Sequence, residues 1–278
     1  MDRSRVFDPP HTFWMIASKR HRIQFPSIDT TSLEQDEAYF FLVDGQNAHP
    51  NDNRQRIRFH DYATIYSQPG LYEQLFYERL KCDSPRKVTE ALRYTAEHER
   101  DNLAEMRVLD LGAGNGIMGE ELKRHGVARL VGVDIVEEAR MAAFRDRPHV
   151  YDDYLICDFT SLSSAEHEEL TGWTFNALTC VAALGFGDIP VPAFMQGVNL
   201  LQTEGWLAFN IKETFLERSD TSGFSKLIRE LIFSEYISLH HVERYVHRYS
   251  TEGKPLFYFA VVCRKRRDIP ADFCEQLT

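Results

Sequence analysis

The chain has 278 residues, 43% of them hydrophobic, and a formal net charge of −10: enough length for one large domain, or a domain with an appendage, and too acidic for a general nucleic-acid binder, whose phosphate contacts need a basic face. Its five cysteines are scattered without a CxxC pair, which supports neither a disulfide scaffold nor a zinc knuckle. There is no apolar run of membrane-spanning length and no signal-type N-terminus, so a soluble, cytoplasmic protein with no membrane or nucleic-acid partner is expected.

In chain order, Ala38–Val43 reads as a strand ending at an Asp44-Gly45 turn, and the polar stretch Gln46–Arg56 as an exposed loop. Arg56–Phe59 returns as its partner strand. After the Pro69-Gly70 turn, Leu71, Tyr72, Leu75, Phe76 and Leu80 fall on one helical face. Ser84-Pro85 then supplies an N-cap and a first-turn proline for a second helix with Val88 and Leu92 inward.

The most informative stretch follows. Val108–Gly116 is an apolar run that reaches Asp110 and breaks into Gly112, Gly114 and Gly116, and Leu130–Asp134 is a second apolar run closed by an acid. That is a strand, a tight loop, a helix (115–125, stopped at Gly126) and a strand, the first half of a nucleotide-binding unit. A dinucleotide loop would place its third glycine at position 117, where Ile117 stands. An acid at Asp110 would repel a pyrophosphate but favour a ligand with an ammonium or sulfonium group, and S-adenosylmethionine carries both. Asp134 stands where an acid accepts hydrogen bonds from ribose hydroxyls. Further strands are expected near 154–157, 175–181 and 204–211, and a helix over 222–235. The last two strands, 238–249 and 255–263, are joined so tightly across Thr251–Lys254 that they must be antiparallel.

Residues 106 to about 210 resemble a class I S-adenosylmethionine-dependent methyltransferase of the small-molecule type. The resemblance rests on Val108–Gly116, Val131–Ile135, Tyr154–Phe159, Phe175–Leu184 and Gln202–Phe209. It implies an α/β fold: a seven-stranded, mostly parallel Rossmann-like sheet with an antiparallel last strand and an N-terminal helical lid. The division implied is an extension over 1–85, the methyltransferase domain over 86–268 and a tail over 269–278. S-adenosylmethionine is the implied cofactor, contacted by Asp110, Gly112, Ala113, Gly114, Asn115 and Gly116 in the loop. Asp134 and Ile135 would hold the ribose end, and Asp158 and Phe159 the adenine, with Val181 at the rim. Of the tyrosines ahead of the core (Tyr62, Tyr66, Tyr72, Tyr77), similar lids point to Tyr66 and Tyr77. The implied reaction is direct in-line methyl transfer to a small molecule. A protein or RNA acceptor, and a non-catalytic binding module, stay open beside it.

The acceptor side has two readings at each position. His60 and Asp61 offer a general base or form a solvated turn. Asp188 binds the acceptor or caps the helix near Pro190, and Lys212, with Glu213, closes the fifth strand in the same ambiguous way. His240, His241 and His247 do not make a metal site, because no carboxylate or cysteine completes the set. The Arg264–Arg267 run reads as a solubilised sheet end. Residues 60–82 are expected to form a mobile lid that a bound cofactor orders, since their apolar face is too hydrophobic to stay in water.

Overall fold

The computed structural model describes residues 19–26, 38–43, 54–184, 188–216 and 223–273. The Asp44-Gly45 turn, most of the 46–56 loop and Gly185–Gly187 lie outside these residues. Two sheets organise the chain. A small one joins β1 (Arg22–Gln24), β2 (Tyr39–Val43) and β3 (Arg54–Arg58) in sequence order, all antiparallel. The expected pair of strands is there, with β3 starting earlier than the apolar pattern indicated, and a third strand completes the sheet.

The large sheet contains β4 (Arg107–Leu111), β5 (Arg129–Asp134), β6 (Asp153–Ile156), β7 (Ala177–Cys180), β8 (Trp206–Lys212), β9 (Ile237–Tyr249) and β10 (Pro255–Lys265). Its order is β6-β5-β4-β7-β8-β10-β9. Only β10 runs against the rest, antiparallel to both β8 and β9. The central strands read as continuous apolar runs because helices cover both faces. One face packs α6 (Val191–Leu200) and α7 (Phe224–Phe233) through Phe194, Phe224 and Leu227 onto Phe209 and Leu178. The other face packs α2 (Ser84–His98) and α3 (Ile117–Arg124). Ile269 and Phe273 are buried in the first of these cores. Among the described residues, no helix is long and apolar enough to cross a membrane.

The N-terminal helices depart from the lid expectation. The second one, α2, is not a lid: Val88, Leu92 and Ala96 lie against Val108, Trp206, Ala208 and Val262 of the large sheet. Its N-cap is Asp83, and Ser84 is buried, with its hydroxyl 2.6 Å from the Tyr245 hydroxyl. The first breaks into α1 (Tyr62–Ser67) and a π-helix (Glu73–Arg79). Leu71, Leu75, Phe76 and Leu80 pack on Ile23, Phe40, Leu42, Ile57 and Phe59 of the small sheet. The apolar face thus already has a partner that the sequence pattern did not reveal, and needs no ligand to bury it. The extension is a braced roof. α1 rests on α4 (Glu137–Asp146) through Tyr66, Ala139 and Ala142, and Arg145 Nη1 donates to the Tyr66 carbonyl at 3.1 Å.

Candidate active site

A cavity of about 550 Å³ opens where the parallel strands end, between the loop 111–115, the ends of β5 and β6, residues 181–183 and the helical roof. Ligands of such sheets sit outside the carboxyl ends of the strands. The floor is the glycine loop. At Gly114 the backbone is left-handed (φ +54°), and a Cβ there would lie 2.5 Å from the Tyr66 hydroxyl. Only glycine lets roof and loop approach so closely.

Asp134 braces this loop from the end of β5. Its Oδ2 accepts from the Gly114 N–H at 2.9 Å and its Oδ1 from the Val136 N–H at 3.0 Å. The Ile135 N–H also acts on the carboxylate, which keeps lone-pair capacity for a ligand. Burial raises its pKa, against the lowering effect of those N–H bonds. Around it stand Ala113, Asn115, Ile135, Asp158, Phe159 and Val181, all on the cavity wall as the sequence arranged them. Asp158 Oδ1 is engaged locally, taking the Thr160 N–H at 2.8 Å and the Thr160 hydroxyl at 2.7 Å. Those bonds hold its pKa below the usual carboxylate value.

Three expected residues stand elsewhere. Asp110 does not face the cavity: it is 1% exposed, and its oxygens accept from the Tyr151 hydroxyl and the Thr179 hydroxyl, each at 2.7 Å. Strand alternation turned it beneath the loop. Gly116 is covered by Tyr151 and Arg147. Lys212 lies at the end of β8, outside the cavity wall, and its neighbour Glu213 accepts from Arg244 Nε at 2.7 Å.

Burial pushes the Asp110 pKa up from 3.8 to about 6, the two hydroxyl bonds opposing. The folded state therefore holds more protons than the unfolded chain between these values, and stability falls as pH rises through them. Asp110→Asn is expected to flatten that slope, removing a change on the order of 3 kcal/mol at about 1.4 kcal/mol per pKa unit. Thermal melts across this pH range check it, and an unchanged slope would place the titration in another group.

The roof contributes four tyrosines. Tyr62, Tyr66, Tyr72 and Tyr77 line the cavity in a ladder of ring contacts, with centroids 5.9 Å apart for Tyr62–Tyr66 and 5.0 Å for Tyr66–Tyr72. Burial raises the pKa of Tyr62, Tyr66 and Tyr77 well above the ordinary phenol value, so they stay protonated donors. All four stood among the sequence candidates, of which Tyr66 and Tyr77 were preferred.

The acceptor-side ambiguities divide. Asp61 caps α1, its Oδ1 taking the Thr64 N–H at 3.4 Å. His60 instead reaches Asp188, with Nδ1 3.2 and 3.1 Å from the two carboxylate oxygens. The Tyr62 hydroxyl donates to Asp188 Oδ2 at 3.4 Å. Asp188 does not cap α6, whose N-cap is Pro190 without a side-chain bond. A histidine N–H donated to a carboxylate leaves the ring's lone pair on the other nitrogen. The fold has therefore assembled an oriented imidazole at the cavity wall from residues 128 apart in the chain.

The strand order and the glycine loop define a Rossmann-like methyltransferase fold. A family model described as a methyltransferase domain matches residues 109–209. Over those residues the chain carries an S-adenosylmethionine-dependent methyltransferase domain. A ubiquinone biosynthesis O-methyltransferase of Thiobacillus denitrificans is 29% identical over 111 residues, 40% of this chain and 46% of that protein. One from Pseudomonas aeruginosa is 30% identical over 133 residues, 48% of this chain and 54% of that protein. The chain thus spans about half the length of the curated relatives it matches. The crystal structure of the N-methyltransferase NodS from Bradyrhizobium japonicum WM9, in complex with S-adenosyl-L-homocysteine, has the same fold, with a TM-score of 0.50 at 16% identity over 75% of this chain and 98% of that one.

Proposed function

We propose that this protein methylates a hydroxyl group of a small molecule with S-adenosylmethionine. The observation that carries the reading is one cavity with Asp134 on its wall and the His60–Asp188 pair on the same wall system. The donor set fits the cofactor: a buried acid with unused lone pairs, a side-chain-free loop at Gly114 and apolar surfaces at Ile135, Phe159 and Val181. When bound, S-adenosylmethionine supplies a methyl group already activated by its sulfonium.

The chain's own part is then to bind, align and exclude water. Asp134 accepts the ribose hydroxyls, and Asp158 and Phe159 border the adenine end. The tyrosine ladder closes the roof, and its ring faces suit a cation. His60 removes the acceptor's proton through Nε2 as the hydroxyl oxygen takes the methyl, while Asp188 holds the tautomer and stabilises the imidazolium. The proton is then lost to water from His60. A hydroxyl needs such a base, whereas a thiolate or free amine needs little help, which is why the dyad favours oxygen. The net charge of −10 supports a small acceptor over RNA.

Calorimetry tests the cofactor first. S-adenosylmethionine and S-adenosylhomocysteine are expected to bind, and NAD is not; equal or tighter NAD binding would overturn the reading. Asp134→Ala should weaken binding by about 2–4 kcal/mol, two hydrogen bonds to a charged acceptor with some recovery from water. Unchanged affinity in a folded variant would remove Asp134 from the ribose site.

A further inference from the structure

Against the main cavity, sharing its His60–Asp188 wall, lies a smaller chamber of about 40 Å³. His60, Tyr62, Ala182 and Asp188 line both spaces. The chamber's walls are Phe59, Phe76 and Tyr258, and its inner end is formed by His247 and Arg248 of β9. His247 is neutral: burial holds its pKa well below the ordinary value, and its Nδ1 lies 2.5 Å from the Ser84 hydroxyl. The positive charge of that end is therefore Arg248.

Arg248 is 7% exposed. Its Nη1 donates to the Tyr249 carbonyl at 3.1 Å and its guanidinium carbon lies 5.7 Å from the Phe59 ring centre. Among the described residues it makes no ion pair within 4.0 Å. A guanidinium so deeply buried ordinarily has an acidic partner. The nearby carboxylate, Asp188, is committed to His60 and Tyr62. The guanidinium offers the forked donor geometry that matches a carboxylate.

We infer that the methyl acceptor is a hydroxyaryl acid, its hydroxyl set at His60 and its carboxylate received by Arg248. This rests on the methyl-transfer reading above and adds the charge and shape of the substrate. The small chamber has room for a group of a few atoms, so a ring stays among the aromatic walls of the main cavity and only the anionic group enters. The aromatic walls suit a planar body between two polar ends.

The test uses the full chain saturated with S-adenosylhomocysteine and three probes: 4-hydroxyphenylacetate, its neutral amide, and phenyl phosphate. Calorimetry is expected to show the acid binding about 10- to 100-fold tighter than the amide, the range of one charge-assisted contact. Arg248→Met should erase that difference while its melting curve and S-adenosylhomocysteine affinity show it folded, and Arg248→Lys should retain part of it. Equal binding of acid and amide, no binding of either, or a preference that survives in Arg248→Met would overturn the inference. Tighter binding of phenyl phosphate would overturn the assignment to a carboxylate. The acid–amide comparison on the unaltered protein decides the matter even if both variants misfold. Loss of S-adenosylhomocysteine binding itself would instead sink the methyl-transfer reading, so the two failures are distinguishable.

Discussion

Replacing His60 by alanine is expected to lower kcat for hydroxyl methylation about 10²- to 10⁴-fold, the usual contribution of a positioned general base. The methyl group is already activated, so the barrier the protein can still lower is the poor nucleophilicity of a neutral hydroxyl. His60 is held for that task by Asp188, 3.1 Å away and itself steadied by Tyr62. Cofactor affinity should be little changed, because the imidazole stands on the acceptor side and Asp134 on the ribose side. Asp188→Asn should also slow the reaction, since an amide no longer fixes the tautomer, and His60→Gln should not rescue it. A folded His60→Ala with undiminished kcat would leave the imidazole a wall residue only.

The second large effect is on stability. Arg147→Met should cost about 3–5 kcal/mol, the loss expected when one member of a buried ion pair is removed. The Arg147 side chain is 4% exposed and joins Glu73 of the roof, at 3.1 Å, to Glu120 of α3, at 2.9 Å. It also donates to the Asn115 carbonyl at 3.0 Å, and the Asn115 side chain donates to Glu73 at 2.7 Å. Roof, glycine loop and α3 thus share one cation. Without it two carboxylates are left partly desolvated, with a hydrogen-bond donor missing from the loop. Adding Glu73→Gln to the variant removes one of those charges and should recover part of the loss. Hydrogen exchange should show the π-helix amides quickening most. If they quicken no more than those of β9 and β10, the roof is held chiefly by its apolar packing on the small sheet. The same network ties the segment expected as a lid to the glycine loop and α3.

The half of the cavity around Asp134 and the glycine loop was legible in the sequence because it is local. Asp134 and Gly114 lie only 20 residues apart, and a strand, a tight turn and a helix leave few ways to place them. The same holds for the apolar runs of β4 to β8, whose periodicity encodes their burial on both faces, and for the tight joint that makes β10 antiparallel. Asp110 shows the limit even of local reading: its position in the motif was plain, but the side of the strand its carboxylate faces was settled by Tyr151, just before β6, and Thr179 of β7. The acceptor half was decided only by the tertiary structure. His60 and Asp188 are 128 residues apart, and each alone is as consistent with a turn or a helix cap as with chemistry. Arg248 carried no signal at all, being one charged residue in a long strand, until the fold buried it without an acidic partner among the described residues. Pairings across such distances depend on how the roof, the sheet and the 188 loop close on one another, and closure is set by the summed packing of many side chains. The apolar face of the roof makes the point from the other side: the pattern fixed that it must be buried, and only the small sheet, assembled from segments that read poorly alone, decided against what.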